Sequence, residues 1–293
     1  MGEPAEAART AARRAGVNVR SLRTAVEMAQ ATELVNRVWH SADTSPLEAP
    51  LLRALAHTGN YVAGAFERAG GGSGDVGDPA EGGAMVGLSV GFLTFDPERG
   101  LHSHITCTTS ERRDAGLGAA LKLHQRAWAY AAGLTSITWT FDPLVRRNAY
   151  FNLAKLGARA VAYLPEFYGP MDDGVNAGDE SDRLLLRWDV PAKEQDAGPA
   201  GQPDSAWNDV AENCSLRVGP DDGEPCRCTV TGDVVACQIP ADIVALRERD
   251  PDQALRWRHA LRDALTGALD DGYHVQGFTR SGCYVLTRRT AVP

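Results

Sequence analysis

RRDAGLGAALK, Arg112 to Lys122, sets two glycines between a basic pair and an apolar stretch. Glycine in a helix interior costs about 1 kcal/mol relative to alanine. Gly116 and Gly118 nevertheless stand at the mouth of a strong helical pattern that runs to about Ala132. Leu101 to Thr108 before it reads as a strand, so the glycines belong to a strand-to-helix turn.

A helix start presents unpaired backbone N–H groups and the positive end of the helix dipole. Positions without side chains let a phosphate approach that backbone closely. Arg113, Gly116 and Gly118, with the backbone of Leu117 and Ala119, therefore read as a pyrophosphate cradle. A turn whose glycines serve geometry alone is the competing reading. Two other phosphate motifs are absent: the third glycine of G-x-G-x-x-G would fall at Leu121, and no G-K-[ST] follows.

Around this turn the 293-residue chain carries 30 Lys+Arg against 38 Asp+Glu, a formal net charge of −8. That balance lacks the basic character of a nucleic-acid binder, so no nucleic-acid partner is expected. No run approaches the roughly 20 apolar residues of a membrane span. The opening MGEPAEAARTAARRAG has no signal-peptide core, so the cytoplasm is the expected setting. Six cysteines in a chain of this length do not make a disulfide scaffold. Cys226 and Cys228 with Cys214 and Cys237 lack zinc spacing, and no metal is expected.

Apolar periodicity gives the remaining elements. A helical lead over 5–16 precedes a strand over 17–23, helices over 24–39 and 47–57, and strands over 61–66, 84–95 and 101–108. After the glycine helix come a strand over 135–141, a helix over 147–156 closed by Gly157, and strands over 160–164 and 183–188. A segment at 193–212, rich in Gly, Pro, Ala and Asp, reads as a linker between a domain at 1–192 and an α+β extension at 213–293. In the extension, strands are expected near 215–218, 228–231 and 234–239. Asp250, Pro251 and Gln253 mark a helix start, Gly272 its stop, and 273–288 a closing hairpin.

R-D-A-G-L-G at 113–118 matches the [RQ]-x-x-G-x-[GA] motif of GNAT acyltransferases, and the element order of 17–190 resembles that superfamily. Closer similarity lies with a subgroup of unassigned substrate. It rests on S-H at 103–104, ITWTFDPL at 137–144, RNA at 147–149, NLAKLGA at 152–158, YG at 168–169 and SDRLL at 181–185. ALRWR at 254–258 and GYHV at 272–275 extend it to the C-terminal region. The resemblance implies a mixed α/β fold: a twisted, mostly antiparallel sheet flanked by helices, with the extension packed on it. It also implies acetyl-CoA or another acyl-CoA as cosubstrate, a small-molecule amine as acceptor, and allows a homodimer. The 101–108 strand would then expose backbone groups to the pantetheine arm.

One family position is changed. Aligned on Gly157, Leu153 stands where many members carry the tyrosine that protonates the departing thiolate. Tyr168, and Tyr150 after it, are the replacements at hand. The change also opens a second class, decarboxylation or hydrolysis of an acyl thioester, and a third, a CoA-binding module without turnover.

His102 and His104, two apart on a strand, face one side. His104 beside Ser103 is the candidate base, since an imidazole near neutral pKa suits an attacking amine. A solvated strand face is the competing reading. Asp142, at the end of its strand, reads either as a catalytic carboxylate or as an Asp-Pro turn. Thr108, Asn148 and Asn152 are candidate cofactor contacts, the two asparagines sharing a helix face at i and i+4. Ser103, Arg147 and Arg183 are candidate substrate contacts, Arg183 through a carboxylate; surface pairing is its alternative. Trp257 and the leucine stripe 255, 261, 265 and 269 read as packing.

Overall fold

In the computed structural model the described residues are 3–39, 47–68, 83–95, 98–112, 115–169, 179–190, 215–221, 223–227 and 232–288. The chain divides into two units, Met1–Thr138 with Asp189–Ala197 and Trp139–Trp188 with Gly198–Pro293. The boundaries expected at 192 and 213 concern which segment folds by itself and remain a proposal.

The first unit opens with α1 (Glu3–Arg14) and β1 (Val17–Ser21), joined through Gly16 at φ +67°. Glycine takes this left-handed stop without a Cβ penalty. Next, α2 (Ala25–Trp39) begins at a capping box: Glu27 N donates to Thr24 Oγ1 at 3.2 Å, and Thr24 N donates to the Glu27 carboxylate at 2.8 Å. Burial pushes the Glu27 carboxyl up, but the Arg23 and Thr24 amides and Arg20 outweigh it and hold its pKa at about 2. Then come α3 (Ala49–His57), β2 (Tyr61–Glu67), β3 (Met85–Thr94), β4 (Gly100–Thr108), α4 (Leu117–Ala131) and the start of β5 (Ser136–Phe141).

The strand order is β1-β2-β3-β4-β5, antiparallel as far as β4, with β4 and β5 parallel. Helices cover both faces. Met28, Leu34 and Val35 of α2 and Leu52 of α3 pack with Val62, Phe66, Leu88 and Val90. Leu117, Ala120 and Leu121 of α4 pack with Val17, Ala65 and Val86. Because both faces are covered, β2 and most of β3 read as continuous apolar runs rather than alternating ones. The architecture is thus the expected mixed α/β class.

In the second unit the strand order continues β5-β7-β6, with β6 (Arg159–Leu164) and β7 (Arg183–Asp189) antiparallel. The helix expected over 147–156 is two pieces: α5 (Arg146–Ala149) and a π-helical stretch, Tyr150–Lys155, before Gly157 at φ +69°. A second sheet runs β11-β12-β10-β8-β9, made of β8 (Ser215–Asp221), β9 (Glu224–Arg227), β10 (Val234–Gln238), β11 (His274–Phe278) and β12 (Cys283–Thr287). The strand expected at 228–231 falls outside the described residues.

A short helix the periodicity did not reveal, α6 (Ile243–Arg249), precedes α7 (Pro251–Asp270). The α7 start is as read: Gln253 N donates to Asp250 Oδ1 at 2.9 Å, and Pro251 opens the helix. Its buried face is Ala254, Trp257, Arg258, Leu261, Leu265 and Ala268, while Leu255 and Leu269 are only half-buried.

Candidate functional site

The first group of candidates is set by an irregularity in β4. Against β3, Val90 pairs with Ile105 and Gly91 with Ser103, so His104 is an extra residue, a β-bulge. In a regular strand Ser103 and Thr106 would point to opposite faces. Here both join one polar relay. Lys122 Nζ of α4 donates to Ser103 Oγ at 2.8 Å and to Gln125 Oε1 at 3.4 Å. Gln125 Nε2 donates to Ser89 Oγ at 3.3 Å, and Ser89 and Thr106 share a hydroxyl hydrogen bond of 2.9 Å. Ser103 is buried, so its hydroxyl faces Lys122 rather than an acceptor substrate.

His102 and His104 both lie against the Phe92 ring, at centroid distances of 5.4 and 5.5 Å. Their common side is therefore reached across a bulge. His102 Nδ1 and Thr138 Oγ1 share a hydrogen bond of 3.2 Å. Burial, with smaller repulsions from His104 and Lys122, pushes the His102 pKa down to about 4. His104 is the more exposed of the two, yet desolvation by its neighbours still holds its pKa below the usual histidine value. The parallel ladder of β4 with β5 runs from Gly100↔Ser136 to His102↔Thr138 and goes no further, whereas pairing with β3 continues to Gly87↔Thr108.

Gly116 is the N-cap of α4 at φ +76° and, having no side chain, makes no cap hydrogen bond of its own. Among the described residues a Cβ there would meet nothing within 4 Å. Glycine suits the left-handed conformation, and no other described residue fills the space beside it. The first-turn N–H groups, those of Leu117, Gly118 and Ala119, are the donors a helix start leaves over. Buried Leu117 anchors the turn in the core, while Gly118 and Ala119 are half-buried. Thr108 is half-buried at the end of β4, and Arg113 lies outside the described residues.

The second unit uses its candidates differently. Arg258 donates to Asp142 Oδ1 at 2.7 Å and Oδ2 at 2.9 Å, and Arg247 Nη2 donates to Asp142 Oδ2 at 2.5 Å. Both arginines also bond to Asp179, each at 2.8 Å. Leu144 N donates to Asp142 Oδ1 at 2.9 Å, completing the turn that Asp-Pro foretold. Burial pushes the Asp142 carboxyl up, but Arg258 and then Arg247 outweigh it and hold it well below the usual carboxylate range. A carboxylate so paired is a poor proton acceptor, and the structure gives Asp142 this pairing in place of the catalytic task expected from its position.

Tyr168 and Arg183 are brought together: the guanidinium lies 5.2 Å from the ring centroid. Tyr168 is exposed, and its Oη shares a hydrogen bond of 3.1 Å with Thr140 Oγ1. Arg183 is buried, with Nη1 donating to Asp182 O at 2.8 Å, so the surface-pair alternative does not describe it. Asn148 is half-buried and Asn152 buried, on either side of the change from α to π winding at Tyr150. The i, i+4 face of a regular helix therefore does not carry over to them. Arg147 is exposed. Leu153 is buried, and Tyr150 Oη accepts from Arg280 Nε at 3.0 Å.

Sequence reasoning missed Lys122, Arg247 and Arg258 as site-shaping residues. Arg258 did leave a signal: it sits between Trp257 and Leu261 on the apolar side of its helix, where an arginine needs a buried acid. Among the described residues no group of three or more His, Cys, Asp or Glu is arranged to hold a metal ion, and no helix is long and apolar enough to cross a membrane.

No family model and no curated protein matches this sequence. Among solved structures it is similar to the ribosomal-protein-S18-alanine N-acetyltransferase from Escherichia coli, with 12% identity over 62% of this chain and 99% of that one, TM-score 0.44. It is similar also to an acetyltransferase of the GNAT family from Streptococcus pneumoniae, with 14% identity over 60% of this chain and 99% of that one, TM-score 0.46. A third is YncA, a putative acetyltransferase from Salmonella typhimurium solved with acetyl-CoA: 15% identity, 62% of this chain and 97% of that one, TM-score 0.46. At these values the likeness assigns neither activity nor substrate.

Proposed function

We propose that this chain is a GNAT-type acyltransferase that moves an acetyl or similar acyl group from acyl-CoA to the amine of a small molecule. The observation that carries the reading is the start of α4. A helix N-cap that is a glycine and so offers no capping side chain, a left-handed Gly116 beside which no other described residue lies within 4 Å of a Cβ, and small residues at 118 and 119 suit a pyrophosphate held by backbone N–H groups. The residues present thus fit coenzyme A, which supplies the activated thioester.

In this reading β4, having left β5 after His102, offers backbone N–H groups from Ser103 onward to polarise the thioester carbonyl. His104 takes the proton from the attacking amine as the C–N bond forms and the C–S bond breaks. Its lowered pKa keeps the imidazole neutral, and so able to accept, at neutral pH. Tyr168 is proposed as the group that returns a proton to the thiolate, and Arg183 as a contact for an acceptor carboxylate. Asn148, Asn152, Thr108, Arg113 and Arg147 remain proposed contacts to be tested one by one.

Buried Leu153, at the position of the family's usual proton donor, favours one second reading: decarboxylation or hydrolysis of an acyl thioester. Calorimetric titration with acetyl-CoA, followed by product analysis over a panel of amines, amino acids and amino sugars, tests both. Acylated amine supports transfer, and free acid or carbon dioxide supports the second reading. Binding without any product leaves a CoA-binding module, and absence of binding overturns all three.

A further inference from the structure

The buried lysine of α4 has no part in the chemistry proposed above. Lys122 is 4 % exposed, Ser89 and Gln125 are 0 %, and Ser103 is 4 %. An apolar side chain of similar length would fill such a place without the cost of desolvating an ammonium. What the lysine adds is direction. Its ammonium holds Ser103, the residue before the bulge; through Gln125 and Ser89 the same relay holds Thr106, two residues after it. Two strand residues three apart can face the same helix only if the strand gains a residue between them. The relay and the bulge therefore require each other, and the bulged residue is His104.

We propose that Lys122 is a positioning residue that, through Ser103, fixes the β4 bulge and with it the setting of the His104 imidazole. The idea rests on the proposed role of His104 only for its catalytic consequence; the placement itself is tested without substrate. Burial lowers the Lys122 pKa to about 7, and either protonation state keeps an N–H to donate to Ser103. The titratable neighbours that bear on the readout are His102, which feels both His104 and Lys122, and His104 itself, whose pKa is lowered by desolvation.

The test is histidine NMR titration of the full chain in the wild type, Lys122→Met, Ser103→Ala and Ser103→Thr. Lys122→Met removes charge and donor together, whereas Ser103→Ala keeps the charge and cuts the anchor. If the bulge loosens, His104 leaves its desolvated place beside Phe92 and its pKa rises toward about 6.5, the ordinary value. The expected result is that rise in both Lys122→Met and Ser103→Ala, with Ser103→Thr restoring the wild-type value. Should Lys122→Met not fold, Ser103→Ala alone decides. A rise confined to His102, or an unmoved His104 in Ser103→Ala, overturns the proposal whatever the protein is found to catalyse. Where turnover is measurable, Ser103→Ala should lower kcat about 10-fold or more and leave acetyl-CoA affinity unchanged, as expected of lost acid–base positioning.

Discussion

Arg258 and Asp142, 116 residues apart in sequence, form a two-pronged ion pair in which the arginine is fully buried and the aspartate 8 % exposed. Burial would lower the Arg258 pKa, but Asp142 and Asp179 outweigh it and raise it. Removing one partner of such a pair leaves a buried charge uncompensated, which costs about 3–5 kcal/mol. Arg258→Met should therefore destabilise the protein by roughly that amount in urea unfolding. A loss below about 1 kcal/mol would show that Arg247 alone suffices for Asp142.

The pair also fixes a pH dependence. The Asp142 carboxyl is depressed in the fold, so the unfolded chain binds its proton first as pH falls. The stabilisation is fully present above about 3.9, the ordinary aspartate value, and is lost as pH drops through the lowered folded pKa. Asp142→Asn should flatten this acid limb of the melting-temperature curve. An acid limb identical to that of the wild type would place its origin in other carboxylates.

Residues 1–192 expressed alone should fail to fold. They keep Asp142, Asp179 and Asp182, whose side chains are 8 %, 4 % and 0 % exposed, but lose Arg247, Arg258 and Arg262, which neutralise them. Three buried carboxylates without their cationic partners exceed what a marginally stable fold tolerates. Circular dichroism and a cooperative melt of the truncated chain decide the matter; a soluble, cooperatively melting product would show the extension to be dispensable.

Legibility in the sequence followed the range of the causes. The Asp250–Pro251 start, the Gly157 stop and the glycine turn before α4 were all readable, because each is decided by residues within a few positions. The bulge at His104 was not, since it lies in the register with β3 and in a relay reaching across 19 residues to Lys122. Asp142 was placed correctly at a strand end, with the Asp-Pro turn among its two readings, but its ion pairs left no local signal, since those partners stand more than 100 residues away. The π-helical stretch at Tyr150–Lys155 likewise has no signature in apolar spacing.

Gly116→Val should abolish measurable acetyl-CoA binding, and Gly116→Ala should weaken it 10-fold or more, about 1.4 kcal/mol. Among the described residues even the alanine meets no neighbour, so its effect arises from φ +76°, where a Cβ costs about 1–2 kcal/mol and pulls the turn out of shape. Titration calorimetry alongside a melt separates lost binding from lost folding. Wild-type affinity in both variants would remove the α4 turn from the proposed cofactor site.

Only a neutral imidazole accepts a proton, so the rate should rise with pH through the His104 pKa and level off above it. Desolvation lowers that pKa, so the limb should lie below about 6.5, the ordinary histidine value. His104→Ala should cut kcat about 10²-fold and erase the limb, with acetyl-CoA affinity nearly unchanged. His102→Ala is the informative comparison: its ring shares the Phe92 side, yet it is held by Thr138 and already shifted to about 4, so its loss should leave the limb in place. Tyr168→Phe examines the other proton. It should slow turnover at high pH, where thiolate departure lacks a ready donor, without moving the His104 limb. Full activity of His104→Ala with an unchanged pH profile would make the histidine a spacer on the strand and leave direct attack by an already deprotonated amine as the better account.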